Sequence, residues 1–568
     1  MVSFIKPNTV PLLLVGLVAL LAHGLSLRAD FYMDDRPHIL DNDQVQDAVE
    51  LPSSFASRQL TYGLWRAIHL TVGDQSWAFH AVNLLFHILT AALFLLVARS
   101  MMALSPVKSL TEADRSRIAF WGAMIFACHP LCSEPINYTA QTSILMASFF
   151  GMLATFLYLR WHETRRSYFL TLIPLVVLLA AHSKEPGLFH VGINLFFLGA
   201  LTFSPKLLVA LKENRRLRIA AIGGIGMIAI ILAGSWMAKA ISHIADGERF
   251  TSYALSQSRV LVAYLSRVIL PFNLSSDHFI PWSVSFRDVP ASIALVLAIA
   301  SGISLFICAA WKRSWWATLL ALAFFHLFIR YAYTVDELMV EYRTYPAMPW
   351  FGLLLACGIH QLTKLSPTNQ PWLRPFAFAS VVAVFTTLSA LRSHVWSDEY
   401  RLAQNVLRRY PENLRALNIL MSQQFERGEF QKLADMRSLP DSIARSLGEK
   451  SAKSATRKYT AGKSYVNYIT CQFFVLQGLI KVGEVNEAQR RADILLVDVL
   501  KRLPEQNHPS IFTITLAKLL CHQARGDFEG IEQTFKMISG HYTDEASLRY
   551  HLADTSSALA LNDAVLED

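Results

Sequence analysis

Cysteine is scarce. Six in 568 residues cannot supply a disulfide framework, and no Cys/His spacing matches a zinc site. Cys128, Cys132, Cys308 and Cys357 fall in or beside apolar blocks, which leaves only Cys471 and Cys521 where a bridge is permitted. Both of those fall on apolar helical faces, so two buried thiols are expected there. Charge is also sparse, at 17% of residues, and no glycine-rich phosphate loop of the nucleotide-binding kind occurs.

What replaces these features is hydrocarbon. The chain is 53% hydrophobic with a mean hydropathy of +0.33. Its apolar residues come in blocks close to the length that crosses a bilayer. Eleven candidate spans lie near 8–26, 79–99, 118–130, 139–160, 168–183, 186–203, 218–240, 290–310, 314–331, 346–363 and 373–391. The first is too long, and too poor in a small-residue cleavage site, to read as a removable leader. Beyond about 392 the blocks stop and the composition becomes that of a water-facing helical domain.

A formal charge of +9 invites a nucleic-acid reading, but its placement argues otherwise. Arg99, Lys108, Arg115 and Arg117 lie between spans two and three. Arg160, Arg165 and Arg166 follow span four, and Lys206, Lys212, Arg215, Arg216 and Arg218 follow span six. Lys312 and Arg313 separate two later spans. This is positive-inside patterning. It predicts a cytoplasmic N-terminus and an external 27–78 loop. The apolar stretch 258–272 carries Arg259 near its start and is broken by Arg267 and Pro271. It is read as an interfacial or re-entrant helix. Eleven spans then place the C-terminal domain outside, with no nucleic-acid partner expected.

The external loops hold the unusual residues. Asp34 and Asp35 follow an aromatic pair in Phe31-Tyr32-Met33-Asp34-Asp35-Arg36, at the bilayer edge, where an acid is costly unless hydrated or paired. Asp41 and Asp43 read as a solvated turn or cap. His80, Asn83 and His87 share one helical face in span two, and are equally readable as hydrogen-bonded groups between packed helices. His129, Pro130 and Glu134 come next, followed by Ser183-Lys184-Glu185, then Asp277 with His278, then Glu341-Tyr342-Arg343. Lys184 and Glu185 alone read as a surface ion pair. Together, acids, bases and histidines on one side describe a polar cavity opening outward.

These residues resemble the GT-C glycosyltransferases that use polyprenyl-phosphate sugars, in the branch containing the transmembrane-and-tetratricopeptide-repeat protein O-mannosyltransferases and their bacterial relatives. Phe31 to Asn42 is similar to that family's aromatic-Asp-Asp opening. Arg58, Leu60, His80, Asn83 and His87 follow its next segment, and His129-Pro130 with Glu134 resembles its His-Pro-x-x-x-Glu. Ser183-Lys184-Glu185 matches Ser-Lys-Glu, and Leu255 to His278 follows its arginine-bearing helix and the Pro-x-x-Leu-x-x-Asp after it. Glu341-Tyr342-Arg343-x-Tyr345 resembles Glu-His-Arg-x-Tyr. Two departures stand out: Thr142 where bacterial relatives have arginine, and Tyr342 where the family has histidine.

The resemblance implies an all-α, polytopic membrane enzyme that inverts the sugar as it moves it from a lipid phosphate to an alcohol. Asp34 would be the base, with Asp35 orienting a substrate or sharing the proton. Lys184, Arg58 and Arg343 would hold the donor phosphate. His129, Glu134, Glu185, His80, Asn83, Asp277 and Glu341 would shape the pocket. No cofactor is implied; a divalent cation at Asp34/Asp35 has only two acids to recommend it. It further implies a bacterial inner membrane, 1–392 as the catalytic domain, and 397–568 as an extracytoplasmic domain that recruits a protein acceptor.

That last domain reads as paired amphipathic helices turning at Gly428-Glu429-Phe430, Gly483-Glu484-Val485 and Gly526-Asp527-Phe528. The turns are 55 and 43 residues apart, not the regular 34 of tetratricopeptide repeats, so the domain is repeat-like and degenerate. An irregular basic insertion is expected around 445–463. A glycan or lipid acceptor is the alternative within the same enzyme class. A transporter or assembly scaffold is the alternative outside it, though transport predicts polar residues at span centres rather than external ends.

Overall fold

A computed structural model describes residues 9–46, 58–202, 247–332 apart from Val284, 335, 337–364, 370, 372–452, 457–502 and 509–539. Among them all regular structure is helical, and the chain divides into two compact units, Met1–Leu402 and Ala403–Asp568.

In the first unit the helices are α1 (Thr9–His23), α2 (Gln59–Val72), α3 (Ser76–Ala103), α4 (Glu112–Cys128), α5 (Ser133–Asn137), α6 (Thr142–Thr164), α7 (Tyr168–Ser183) and α8 (Gly187–Thr202). They continue as α9 (Gly247–Ile269), α10 (Val289–Phe306), α11 (Trp315–Phe328), α12 (Met348–Lys364) and α13 (Leu373–Trp396). Among the described residues five helical stretches are long and apolar enough to cross a membrane: Thr9–Arg28, Ser76–Ala103, Thr139–Thr164, Val289–Trp311 and Leu373–Trp396. Tyr168–Ser183, Gly187–Thr202 and Trp315–Phe328 are shorter apolar helices at expected spans. The expected spans at 118–130 and 346–363 fall on α4 and α12, of 17 residues each. The expected span 218–240 lies outside the described residues. The stretch read as interfacial belongs to the 23-residue α9, which buries Tyr253, Val260 and Tyr264 and leaves Val262 and Ile269 exposed.

The helices are tied as apolar surroundings demand, with small residues and internal hydrogen bonds at their contacts. At the α4–α12 crossing, a Cβ on Gly352 would lie 2.6 Å from the Gly122 carbonyl oxygen. Only paired glycines let the two backbones approach so closely. Gly352→Val should therefore cost about 1–3 kcal/mol through overpacking. It should appear as a lower Tm in detergent, and an unchanged Tm would contradict the close approach. His190 Nδ1 lies 2.9 Å from His326 Nδ1, and His326 Nε2 lies 2.9 Å from Asn194 Oδ1. Asn194 then donates to Thr155 Oγ1, which joins α8, α11 and α6 through one buried polar chain.

The second unit is built on the long helix Arg457–Lys481, packed against Leu414–Glu426, Phe430–Asp435, Leu439–Ala452, Val485–Arg502 and Pro509–Arg525. All three expected turns occur. Gly428, Gly483 and Gly526 adopt φ of 71°, 89° and 68°, the left-handed cap that ends a helix without a Cβ penalty. The stretch expected as an irregular insertion is instead largely helical, within Leu439–Ala452 and Arg457–Lys481, while 453–456 lie outside the described residues. Cys471 and Cys521 are buried free thiols, and the other four cysteines are also free.

Candidate functional site

The two adjacent acids have opposite surroundings. Tyr32 to Asp35 forms a tight turn in which Asp35 N donates to Tyr32 O at 2.9 Å and Tyr32 N donates to Asp35 Oδ2 at 3.0 Å. Between them Met33 adopts φ +49°, a left-handed conformation that is uncommon outside glycine. The turn sends Asp35 inward and Asp34 outward. Asp35 is fully buried, and its Oδ1 accepts the Ala140 amide. Asp34 is exposed; its backbone N–H donates to Tyr138 Oη at 3.0 Å, and the same hydroxyl lies against its carboxylate.

Burial pushes the Asp35 carboxyl up to about 8, against the opposing pull of the Tyr32 and Ala140 amides. A carboxyl raised on folding keeps a proton that the unfolded chain has already released. Its contribution to stability is therefore full below about pH 4 and declines as pH rises towards 8. Comparing Tm between pH 5 and pH 7, wild type should lose more stability than Asp35→Asn, by about 1.4 kcal/mol per pH unit. Parallel pH profiles for the two proteins would refute this.

Around Asp34 the chain assembles charge from three further segments. Arg58 Nε lies 3.4 Å from Glu185, and Thr61 Oγ1 donates to Ser183 O at 2.9 Å, so the start of α2 is pinned to Ser183-Lys184-Glu185. Lys184 Nζ donates to Gln141 Oε1 at 2.9 Å and lies 4.9 Å from the centre of the Tyr342 ring. His38 links the group: its amide donates to Asp34 O at 3.1 Å, and its Nδ1 lies 3.3 Å from Tyr62 Oη. Burial, then the Arg58 charge, hold the His38 imidazole below its ordinary value, with Asp34 opposing and Lys184 reinforcing. Asp34, Arg58 and Lys184 thus all act electrostatically on this one imidazole.

Gly187 makes the Lys184 position attainable. A Cβ there would lie 2.3 Å from the Ala180 carbonyl oxygen, so the α7–α8 turn closes only on glycine.

The remaining expected site residues form a buttress rather than the open cluster. Glu341 accepts the Ser275 amide at 2.6 Å, and its Oε1 lies 2.9 Å from His278 Nε2. Arg392 Nη2 lies 3.4 Å from its other oxygen. Burial opposes charge on Glu341, but Arg392 and His278 outweigh it and hold this carboxyl low. Burial and the Glu341 charge push neighbouring Glu134 well above the usual range. Glu134 Oε2 also accepts the Tyr342 amide at 2.8 Å, which anchors the ring facing Lys184. Arg343 donates to Glu337 O and Leu338 O, with its guanidinium 6.0 Å from the same ring. Asp277 is half-buried, and its carbonyl accepts Ser275 Oγ.

His129 Nδ1 accepts the Leu131 amide and its Nε2 lies 2.9 Å from Val268 O, while its ring packs on Phe385. His80 Nε2 lies near Asp30 O and Thr139 Oγ1. Asn83 donates to the carbonyls of Pro135, Ile136 and Tyr138. These three hold the 129–142 loop in shape. Thr142, where the resemblance expects arginine, accepts Trp65 Nε1–H at 3.1 Å and donates to Asn83 Oδ1 at 2.6 Å.

Both Asp35 oxygens accept backbone amides, whereas Asp34 is exposed, so the two acids have different surroundings. Among the described residues no group of three metal-ligating side chains occurs. Sequence reasoning missed the roles of His38, Tyr138 and Arg392. An arginine inside the apolar run of α13 was a legible signal for the last of these.

No known family model matches the chain, and no solved structure matches it. Two curated proteins do: protein O-mannosyl-transferase TMTC3 of Homo sapiens and of Mus musculus. Each is 28% identical over 200 residues, covering 32% of this chain. The similarity is distant and partial. The match covers 20% of each relative, so the chain spans about a fifth of the length of the proteins it resembles.

Proposed function

We propose that this protein is a membrane-embedded, inverting glycosyltransferase that moves a sugar from a polyprenyl-phosphate donor to a hydroxyl on an extracytoplasmic protein. The observation that carries the reading is an exposed Asp34 carboxylate that, with Arg58 and Lys184, lies within electrostatic reach of one histidine, His38. Asp34 takes the proton of the attacking hydroxyl, which is a poor nucleophile while neutral. Lys184 and Arg58 hold the lipid phosphate and stabilise the negative charge that grows as the glycosidic C–O bond breaks. A new C–O bond forms on the opposite face of the sugar carbon, so one base and one displacement invert it. Arg343, bound to the Glu337 and Leu338 carbonyls, holds the segment on which Tyr342 faces Lys184. Glu185 orients Arg58, while Glu134, Glu341 and Asp277 hold the Tyr342 loop. Asp35, buried and amide-bound, fixes the turn that presents Asp34.

In this reading 1–392 is the catalytic domain, with eleven spans, a cytoplasmic N-terminus and a bacterial inner-membrane location. Residues 397–568 form a periplasmic, tetratricopeptide-like domain that recruits the acceptor. The partial similarity to O-mannosyl-transferases supports mannose as the first donor sugar to try. Full-length protein in proteoliposomes, given polyprenyl-phosphate mannose and candidate periplasmic proteins, should yield a hexose adduct on Ser or Thr by mass spectrometry. No transfer from any polyprenyl-phosphate sugar to any hydroxyl acceptor would overturn the reading.

A further inference from the structure

At the end of the helix bundle opposite Asp34, the first turns of α4 and α13 meet the last turn of α12. Arg117 Nη1 lies 3.8 Å from Asp114 Oδ1, and Arg374 Nη1 lies 3.9 Å from the same oxygen. The other Asp114 oxygen is already occupied by the amide and hydroxyl of Thr111. Lys364, half-buried, has no ion-pair partner among the described residues. His360 is 3% exposed and lies within Coulomb reach of Asp114, Lys364, Arg374 and Arg117. Its Nε2 has no hydrogen-bond partner among the described residues. Glu112, in the same first turn of α4, is exposed and pairs with none of these groups.

Three cations thus surround one carboxylate, and a buried imidazole nitrogen is left over. Both arginines approach that carboxylate only at the outer limit of an ion pair, which leaves guanidinium donors to spend elsewhere. Beside them the surface turns apolar: Leu362, Trp372 and Phe376 are 70%, 58% and 61% exposed. Aromatic and aliphatic side chains next to a cationic corner fit the boundary between headgroups and acyl chains.

We propose that this corner binds the headgroup of an anionic phospholipid in the leaflet facing it. The phosphate would take Arg117, Lys364 and Arg374, while the acyl chains lie along Leu362, Trp372 and Phe376. The distribution of lysine and arginine along the chain assigns this end to the cytoplasmic side, where anionic lipid attracts basic groups. A zwitterionic lipid supplies the same chains without the net charge, and a free anion supplies the charge without the chains. Anionic phospholipid supplies both.

Native mass spectrometry of the full-length protein, titrated with phosphatidylglycerol, phosphatidylcholine or inorganic phosphate, tests this. Phosphatidylglycerol should bind in preference to both. The Arg117→Gln/Lys364→Gln/Arg374→Gln variant should bind it at least about tenfold more weakly, with phosphatidylcholine unchanged. Lys364 has no ion-pair partner among the described residues and glutamine keeps most of its stem, so Lys364→Gln alone should leave the fold intact and weaken binding about fivefold. Equal binding of the two lipids by wild type, undiminished phosphatidylglycerol binding by Lys364→Gln, or displacement of the lipid by inorganic phosphate would each overturn the proposal.

Discussion

Asp34→Asn should express and fold as wild type and transfer sugar about 10²–10⁴-fold more slowly, the range a positioned base contributes. The expectation of normal folding is structural. Asp34 is exposed, and the contact that seats it, from its backbone amide to Tyr138 Oη, survives the change. The loss should fall on kcat, since asparagine keeps the shape and the hydrogen-bonding edge but cannot accept the proton. Single-turnover transfer from a polyprenyl-phosphate sugar in proteoliposomes measures this directly. Retention of full activity would remove Asp34 from the mechanism. Asp35→Asn provides the contrast. It orphans one of two buried amides, so its main effect should be on stability rather than on the chemical step.

The second large effect is expected far from the reacting atoms. Arg392→Met removes the guanidinium beside a fully buried Glu341 and leaves that carboxylate with only His278 and the Ser275 amide, a change expected to cost up to about 3–5 kcal/mol, the range for breaking a buried pair. Thermal unfolding in detergent should show a large drop in Tm. The double variant Arg392→Met/Glu341→Gln should recover much of it, because the buried charge is removed with its partner. If the double variant were as unstable as the single one, the pair would not be the stabilising contact. The buttress also carries Tyr342, through Glu134, so the single variant should impair transfer even where the protein remains folded.

Much of the candidate site was legible along the chain, though not its internal order. Lys184, Glu185, Arg58 and the two acids stood out because charged residues next to apolar runs are costly and need a reason. Their grouping was expected from the loop alternation that the lysine and arginine pattern predicts. The division between Asp34 and Asp35 was not legible, because adjacent residues share a sequence environment and differ only through the Met33 backbone and the turn around it. His129, His80 and Asn83 looked like pocket residues by type, yet their polar atoms go to nearby carbonyls and amides. A buried loop must satisfy its backbone, and that need competes with any functional use of the same side chains.

The helical class, the apolar helices among the described residues and the glycine turns of the second unit were determined by sequence alone. Each is a local consequence of hydrophobic run length or of a conformation that glycine adopts without strain. Which acid faces water was decided only by tertiary structure, as were the approach of α4 to α12 through Gly122 and Gly352 and the reach of Arg392 to Glu341. Those outcomes depend on atoms brought together from distant parts of the chain. Burial turns such contacts into large energies, because a charge or a Cβ with no room has nowhere else to go.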